Sequence, residues 1–364
     1  MKKWIAICLA AMCAEASAQG FYDYRNKFLT PLPESEKTKW RFAHRLQSGW
    51  EYDSNIYESS ARYTTSGSAR FLLNTRGERR DERWQIHYAY AAALQAYSGH
   101  PNENKLSHDL DGQLGLRLWP WLQLSTNASA TLKFYLENAT DYGTTAGDLK
   151  AAALLPHRIL ANLRMETGQL DYAETDFYDF TFRGAEFSLR RALGASSSLE
   201  ATMNRRVLRY QRRAFSYHEP QGLVQKSELQ RDVLTTLRLT MTGGRKIVTQ
   251  VTLEAQMNRS NSFGYDFRRV RACGLLGFRP HQRWMLRAAG ALQNKRYRDD
   301  LSRLNLRDLD TEREQSNFVV LDLSRDLSAE ISLVARVAFY DNESTVPSVF
   351  YRKTLYFAGL EVRL

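Results

Sequence analysis

From Trp40 onward, hydrophobic side chains recur at every second position. Trp40, Phe42, His44, Leu46, Trp50 and Tyr52 share one parity, while Arg41, Arg45, Gln47 and Glu51 share the other. A period of two with one apolar and one polar face is a strand lying between two different media. Farther along, Trp84, Ile86, Tyr88, Tyr90, Ala92 and Leu94 oppose Arg83, Gln85, His87 and Gln95. Leu122, Leu124, Ala128, Ala130, Leu132, Phe134 and Leu136 oppose Gln123, Ser125, Asn127 and Lys133. The pattern weakens in the middle of the chain. A change of phase between Phe182 and Ala185 predicts a bulge, and a similar slip falls near Arg205 and Arg206. Clean alternation returns with Leu229, Val233, Leu237 and Leu239, then Ile247, Val251, Leu253, Ala255 and Met257. The count is sixteen strands, or fourteen if 148–155 and 158–170 are not a pair.

The connections sort into two kinds. Those at 76–82, 120–121, 156–157, 191–197, 242–246, 279–282 and 325–328 are mostly short. Those at 53–61, 98–106, 137–147, 171–178, 211–226, 259–266, 294–312 and 341–350 are mostly long. Alternating short and long connections are what an up-and-down barrel shows, with periplasmic turns at one end and extracellular loops at the other. The fold predicted for residues 40–364 is all-β, a transmembrane antiparallel up-and-down β-barrel.

Upstream, Lys2 and Lys3 precede an apolar run from Trp4 to Ala14, and Ala16-Ser17-Ala18 offers a small-residue cleavage site. This is the layout of a secretory signal, expected to be removed after Ala18. Residues 19–39 carry Pro31 and Pro33 without sustained periodicity and read as a periplasmic lead-in. Cys8 and Cys13 leave with the signal, so the mature chain keeps Cys273 alone and has no intramolecular disulfide. The chain is basic, with a formal net charge of +11. Its mean hydropathy of −0.50 suits a soluble protein or a barrel alike, because alternating barrel strands average out.

If the apolar parity faces lipid, the other parity faces an interior lined by Arg41, Arg45, Arg83, Arg117, Lys133, Arg183, Arg238, Arg269, Arg271, Arg287 and Arg336. The acids Glu51, Asp111, Glu186, Asp232 and Glu254 are fewer. Such a lining favours anions by focusing the field between low-dielectric walls; the alternative is that the arginines pair with the acids and brace the barrel. Tyr97, Trp119, Tyr135 and Tyr340 fall on or near the inner register, where rings suit a sugar face or anchor the strand ends at the interface. In the loop at 295–313, Leu301, Leu304 and Leu306 form either a short constricting helix or part of a solvated run. His100, His108 and His218 sit near Ser98, Ser107, Asp109 and Ser216, but no hydrolase signature surrounds them. No cofactor or metal is implied by ligand spacing. The basic residues are spread over alternating strands, which argues against nucleic acid as a partner. Outer-membrane lipid and lipopolysaccharide phosphates fit the exposed basic residues better.

The closing stretch, with Tyr356, Ala358, Leu360, Val362 and Leu364 on one face and Gly359, Val362 and Leu364 at set spacing, resembles the C-terminal strand of bacterial outer-membrane β-barrels. That resemblance implies recognition by the barrel assembly machinery and residence in the outer membrane. Ser48-Gly-Trp-Glu-Tyr-Asp-Ser-Asn-Ile-Tyr57 and Tyr340-Asp-Asn-Glu-Ser344 are similar to segments of porin-like barrels associated with exopolysaccharide and capsule export. Three functions follow in order: a channel for small or oligomeric anionic solutes, saccharides included; an accessory or scaffold barrel of a surface-polysaccharide or protein export system; and a lipid-modifying enzyme.

Overall fold

The structure, a computed structural model, describes residues 40–57, 63–136, 141–299, 317–342 and 351–364. The signal and lead-in at 1–39, and Leu301, Leu304 and Leu306, lie outside the described residues. Among the described residues are sixteen strands. The first eight are β1 (Arg41–Asp53), β2 (Ser66–Arg80), β3 (Trp84–Tyr97), β4 (Lys105–Trp119), β5 (Leu122–Tyr135), β6 (Tyr142–Leu155), β7 (Ile159–Tyr172) and β8 (Phe180–Ala192). The second eight are β9 (Ser198–His218), β10 (Gly222–Gly243), β11 (Ile247–Ser260), β12 (Phe267–His281), β13 (Trp284–Tyr297), β14 (Asn317–Asp326), β15 (Ile331–Asn342) and β16 (Tyr351–Arg363). Every strand pairs with its sequence neighbours, and β1 pairs antiparallel with β16, so the sheet closes on itself. Closure leaves no row of unpaired backbone groups, the condition for a sheet to cross hydrocarbon.

Burial is the reverse of a water-soluble protein. Val270, Leu292 and Met165 are exposed at 64%, 68% and 60%, whereas Asp232 and Lys133 are exposed at 0% and 3%. Through the middle of the wall the exposed apolar side chains occupy one parity on each strand, facing outward, and the polar set faces in. An apolar outer wall this continuous is stable only against lipid. The barrel therefore spans a membrane. Trp119 and Trp121 stack at 5.7 Å at the β4–β5 turn, both exposed, as interface anchors do.

The seam is glycine on glycine. Gly49 of β1 sits opposite Gly359 of β16, and the Phe357 ring lies over both. A Cβ on Gly359 would stand 2.2 Å from the Ser48 carbonyl oxygen, so no larger residue fits without moving backbone. Gly359 thus has a packing role at closure in addition to its place in the terminal pattern.

Three sequence expectations are corrected in the middle of the chain. Strand β8 pairs with β7 and β9 without any shift of register, so there is no bulge between Phe182 and Ala185. No slip occurs at Arg205 and Arg206 either; the irregularity lies nearer the 218–222 turn, with extra residues on β10 between Gln225 and Leu229 and on β9 between Arg209 and Arg213. The segment 211–226 is a hairpin rather than a loop. Strands β9 and β10 run on past their outer neighbours and turn at 218–222, where Gly222 has φ +76°. At ~3.3 Å per residue the hairpin stands roughly 25 Å above the wall. It leans on the β11–β12 connection through Phe215 N–H to Ser262 Oγ (3.0 Å), Lys226 Nζ to the Asn261 carbonyl (2.6 Å) and a Tyr217–Phe263 stack. The end of the barrel carrying this hairpin is called the loop end below, and the opposite end the turn end.

Candidate functional site

The lumen has two tiers. In the middle of the barrel, inward charges are joined in cross-strand pairs. Glu254 receives Arg269 at 2.7 Å and Arg238 at 3.0 Å. Arg336 donates to Asp322 at 2.5 Å, and Arg45 lies 3.6 Å from Glu361. Arg271 and Arg287 share the inward parity of β12 and β13, Arg41 sits opposite Glu78, and Arg117 faces in near the β4–β5 turn. Lys133 is buried, its ammonium 4.8 Å from the Tyr135 ring centre. Two expected lining residues are elsewhere. Arg83 belongs to the β2–β3 turn, and Arg183 is exposed on the outward parity of β8, because that strand keeps its register where a bulge was predicted.

The structure adds inward basic groups that the pattern missed. Arg70 pairs with Glu51 at 2.8 Å, and the Gln95 amide donates to the same carboxylate at 2.7 Å. Arg164 pairs with Asp148 at 2.7 Å, Arg206 with Glu166 at 2.5 Å, and Lys353 with Asp53 at 2.8 Å. Glu186 and Asp111 face in as expected, and Asp232 accepts from Gln230 and Asn258. Arg206 lies where a slip was expected, and Arg164 lies in the segment 158–170, where the alternation is weak.

The second tier is a ring of aromatic side chains at the loop end. Tyr97, Tyr135, Tyr142, Tyr172, Phe180, Tyr210, Phe267, Tyr297, Phe318, Tyr340 and Tyr351 all take the inward parity at the loop-end terminus of their strands or close to it. Neighbours touch across strands: Tyr142–Tyr172 at 5.6 Å, Phe180–Tyr210 at 5.3 Å, Phe267–Tyr297 at 6.0 Å. Cations are interleaved. The Lys105 ammonium is 5.6 Å from the Tyr97 centroid, and that of Lys295 is 4.5 Å from both Phe267 and Tyr297. Arg212 is held among Phe177, Tyr210 and Tyr265 at 4.8–4.9 Å and donates to Gln230 at 2.8 Å. Each such contact contributes on the order of 1 kcal/mol and fixes both partners.

A recurring clamp positions the rings. The residue just before a strand accepts, through its side chain, the N–H of an aromatic residue on the preceding strand. Asn104 does so for Tyr97 (2.7 Å), Asp141 for Tyr135 (2.7 Å) and Asp179 for Tyr172 (2.8 Å). The carbonyls of the same residues accept from Leu136, Ala173 and Gln211 on the following strand. One short polar residue therefore ties three strands at each place. Burial pushes the Asp179 carboxyl above its ordinary range, with the Tyr172 amide opposing.

The three candidate catalytic histidines are not brought together. His108 faces outward and shares a 2.8 Å hydrogen bond with Tyr90, His100 stacks on Tyr57, and His218 is at the hairpin turn. Among the described residues, no group of three or more histidine, cysteine, aspartate or glutamate side chains is placed to hold a metal ion.

No protein-family model matches the chain, and no curated protein matches it. Among solved structures it is similar to CdiB from Acinetobacter baumannii, at 9% identity and a TM-score of 0.48 over 88% of this chain; it spans 60% of CdiB's length. A bacterial polysaccharide outer membrane secretin gives 6% identity and a TM-score of 0.45, covering 89% of this chain and 98% of that one. A monoaromatic hydrocarbon channel, the TodX deltaS2 mutant, gives 10% identity and 0.40, covering 90% of each.

Proposed function

We propose that the protein is an outer-membrane channel passing small or oligomeric anionic solutes, saccharides among them. Residues 1–18 direct export, residues 19–39 form a periplasmic lead-in, and β16 is the strand that engages the assembly machinery. The observation that carries this reading is the loop-end ring, in which Lys105, Lys133 and Lys295 stand against inward tyrosines. Ring faces suit the apolar side of a sugar, and ammonium groups between them suit carboxylate or phosphate substituents. A barrel of sixteen strands is wide enough to leave a water-filled path. Inward basic residues outnumber inward acids on the described strands, so the residual field in the lumen is positive. Reversal potentials of the purified protein in a planar bilayer under a salt gradient test the reading. An ohmic current with the anion more permeant is expected, shifting toward cations when Lys133 and Lys295 are replaced by glutamate. A cation-selective current from the native protein overturns it.

The mid-barrel ion pairs favour a second reading, a braced scaffold barrel in an export system. Glu254 with Arg238 and Arg269, and Asp322 with Arg336, neutralise charge across neighbouring strands. A folded barrel that carries no current would favour the scaffold.

A further inference from the structure

From β8 to β13 the outward parity turns basic as the strands approach the loop end. Arg183, Arg205, Arg209, Arg213, Arg231, Arg259, Arg268 and Arg296 are all exposed there. Five of them form one row. Arg209 is directly opposite Arg231, and Arg268 directly opposite Arg296. Arg259 bridges the two pairs as the diagonal neighbour of both Arg231 and Arg268, since Val233 pairs with Arg259 and Met257 with Arg268. Directly opposed side chains on one face are roughly 5 Å apart at Cβ and diagonal ones about 7 Å, so like charges here repel. None of the five has an ion-pair partner among the described residues. On the other side of the barrel the outward Arg352 does have one, Asp341 at 3.4 Å.

Beneath the row the same face is apolar. An open groove of about 490 Å³ is lined by Phe187, Leu189, Met203, Leu237, Leu253 and Val270, all on the outward parity. An anion-seeking row above a groove fit for hydrocarbon is the complement of a lipid with phosphate at the base of its headgroup. Arginine binds phosphate bidentately, and two opposed guanidinium groups can share one phosphate.

We infer that the outer face of β9–β13 is a binding site for a phosphorylated glycolipid of the outer leaflet, with Arg209, Arg231, Arg259, Arg268 and Arg296 holding the phosphates and the groove holding acyl chains. This rests on the outer-membrane placement proposed above but not on solute passage. The test is native mass spectrometry of the full barrel in detergent micelles. The micelles carry a diphosphoryl glycolipid, its dephosphorylated counterpart or phosphatidylglycerol, and a further sample of the glycolipid-loaded barrel receives inorganic phosphate. The native protein is expected to retain the diphosphoryl glycolipid in preference to the others. R209Q/R231Q/R268Q/R296Q should lower retention at least about tenfold, while the four lysine replacements keep part of it. Heat-dependent mobility on gels shows that each variant is folded. Unchanged retention in the glutamine variant, equal retention of the dephosphorylated lipid, or displacement by inorganic phosphate would each overturn the site. So would a lipid-independent dimer cross-linked through Thr235→Cys, since the row would then be an interface between barrels. Conductance of the glutamine variant should match the native protein. A barrel that retains the lipid but carries no current would sink the channel reading alone.

Discussion

At one height on the loop-end rim, two stretches of wall share an inner face and differ on the outer one. On β9, β12 and β13 the inward rings Tyr210, Phe267 and Tyr297 are followed or preceded by the outward arginines Arg209, Arg268 and Arg296. On β3 and β5 the inward rings Tyr97 and Tyr135 have Ala96, Phe134 and Leu136 as neighbours. The inner face is thus set on both stretches by what the mouth of the barrel presents to water. The outer face is set locally by the lipid or headgroup it meets. One strand satisfies both because alternate side chains point to opposite media.

The largest test of this contrast is vertical. Leu253→Arg, mid-wall beneath the arginine row, should destabilise the barrel by on the order of 2–4 kcal/mol. Val207→Arg, between Arg205 and Arg209, should cost no more than about 1, because the penalty for a lipid-facing charge falls toward the interface. Guanidinium titrations of the protein refolded in vesicles read both; equal costs would erase the distinction. On the inner face, Glu254→Gln removes the carboxylate shared by Arg238 and Arg269. It should lower stability by roughly 1–3 kcal/mol and raise anion permeability. Phe134→Arg places a charge at rim height on the aromatic side and should cost about 1 kcal/mol. If that variant gained glycolipid retention equal to the native row, the two sides would not be distinct. Smallest is Asp141→Ala, which leaves the Tyr135 N–H without its 2.7 Å acceptor. A loss of up to about 1 kcal/mol is expected, together with faster amide exchange at Tyr135.

The strand count, the antiparallel order and the lipid-facing parity of most strands were legible because apolar and polar residues alternate over most of β1, β5 and β11. The middle was misread for one physical reason. At the rim of β8 and β9 the usual assignment inverts: Phe182 faces in, with Arg206 5.3 Å from its ring, while Arg183 and Arg205 face out. A rule that sends arginine inward and phenylalanine outward reads that inversion as a change of phase. The hairpin at 211–226 was taken for a loop because neither face of it meets hydrocarbon, so its polarity does not alternate. The ring of inward aromatics was glimpsed at Tyr97, Tyr135 and Tyr340. Its cross-strand contacts depend on register, which only the folded chain displays. The partners of the lumen arginines were beyond the sequence for the same reason.

The central claim is that one wall separates water inside from hydrocarbon outside up to the arginine row, and water from headgroups at it. Single cysteines walked from Met203 to Arg213, in a Cys273→Ser background, measure this directly in vesicles. The account predicts that 204, 206 and 208 react with a water-soluble maleimide through the lumen and that 203 reacts only with a lipid-soluble one. Positions 209, 211 and 213 should react with the water-soluble reagent from the outside. Uniform reactivity along the segment, or a water-reactive Met203 position, would contradict it.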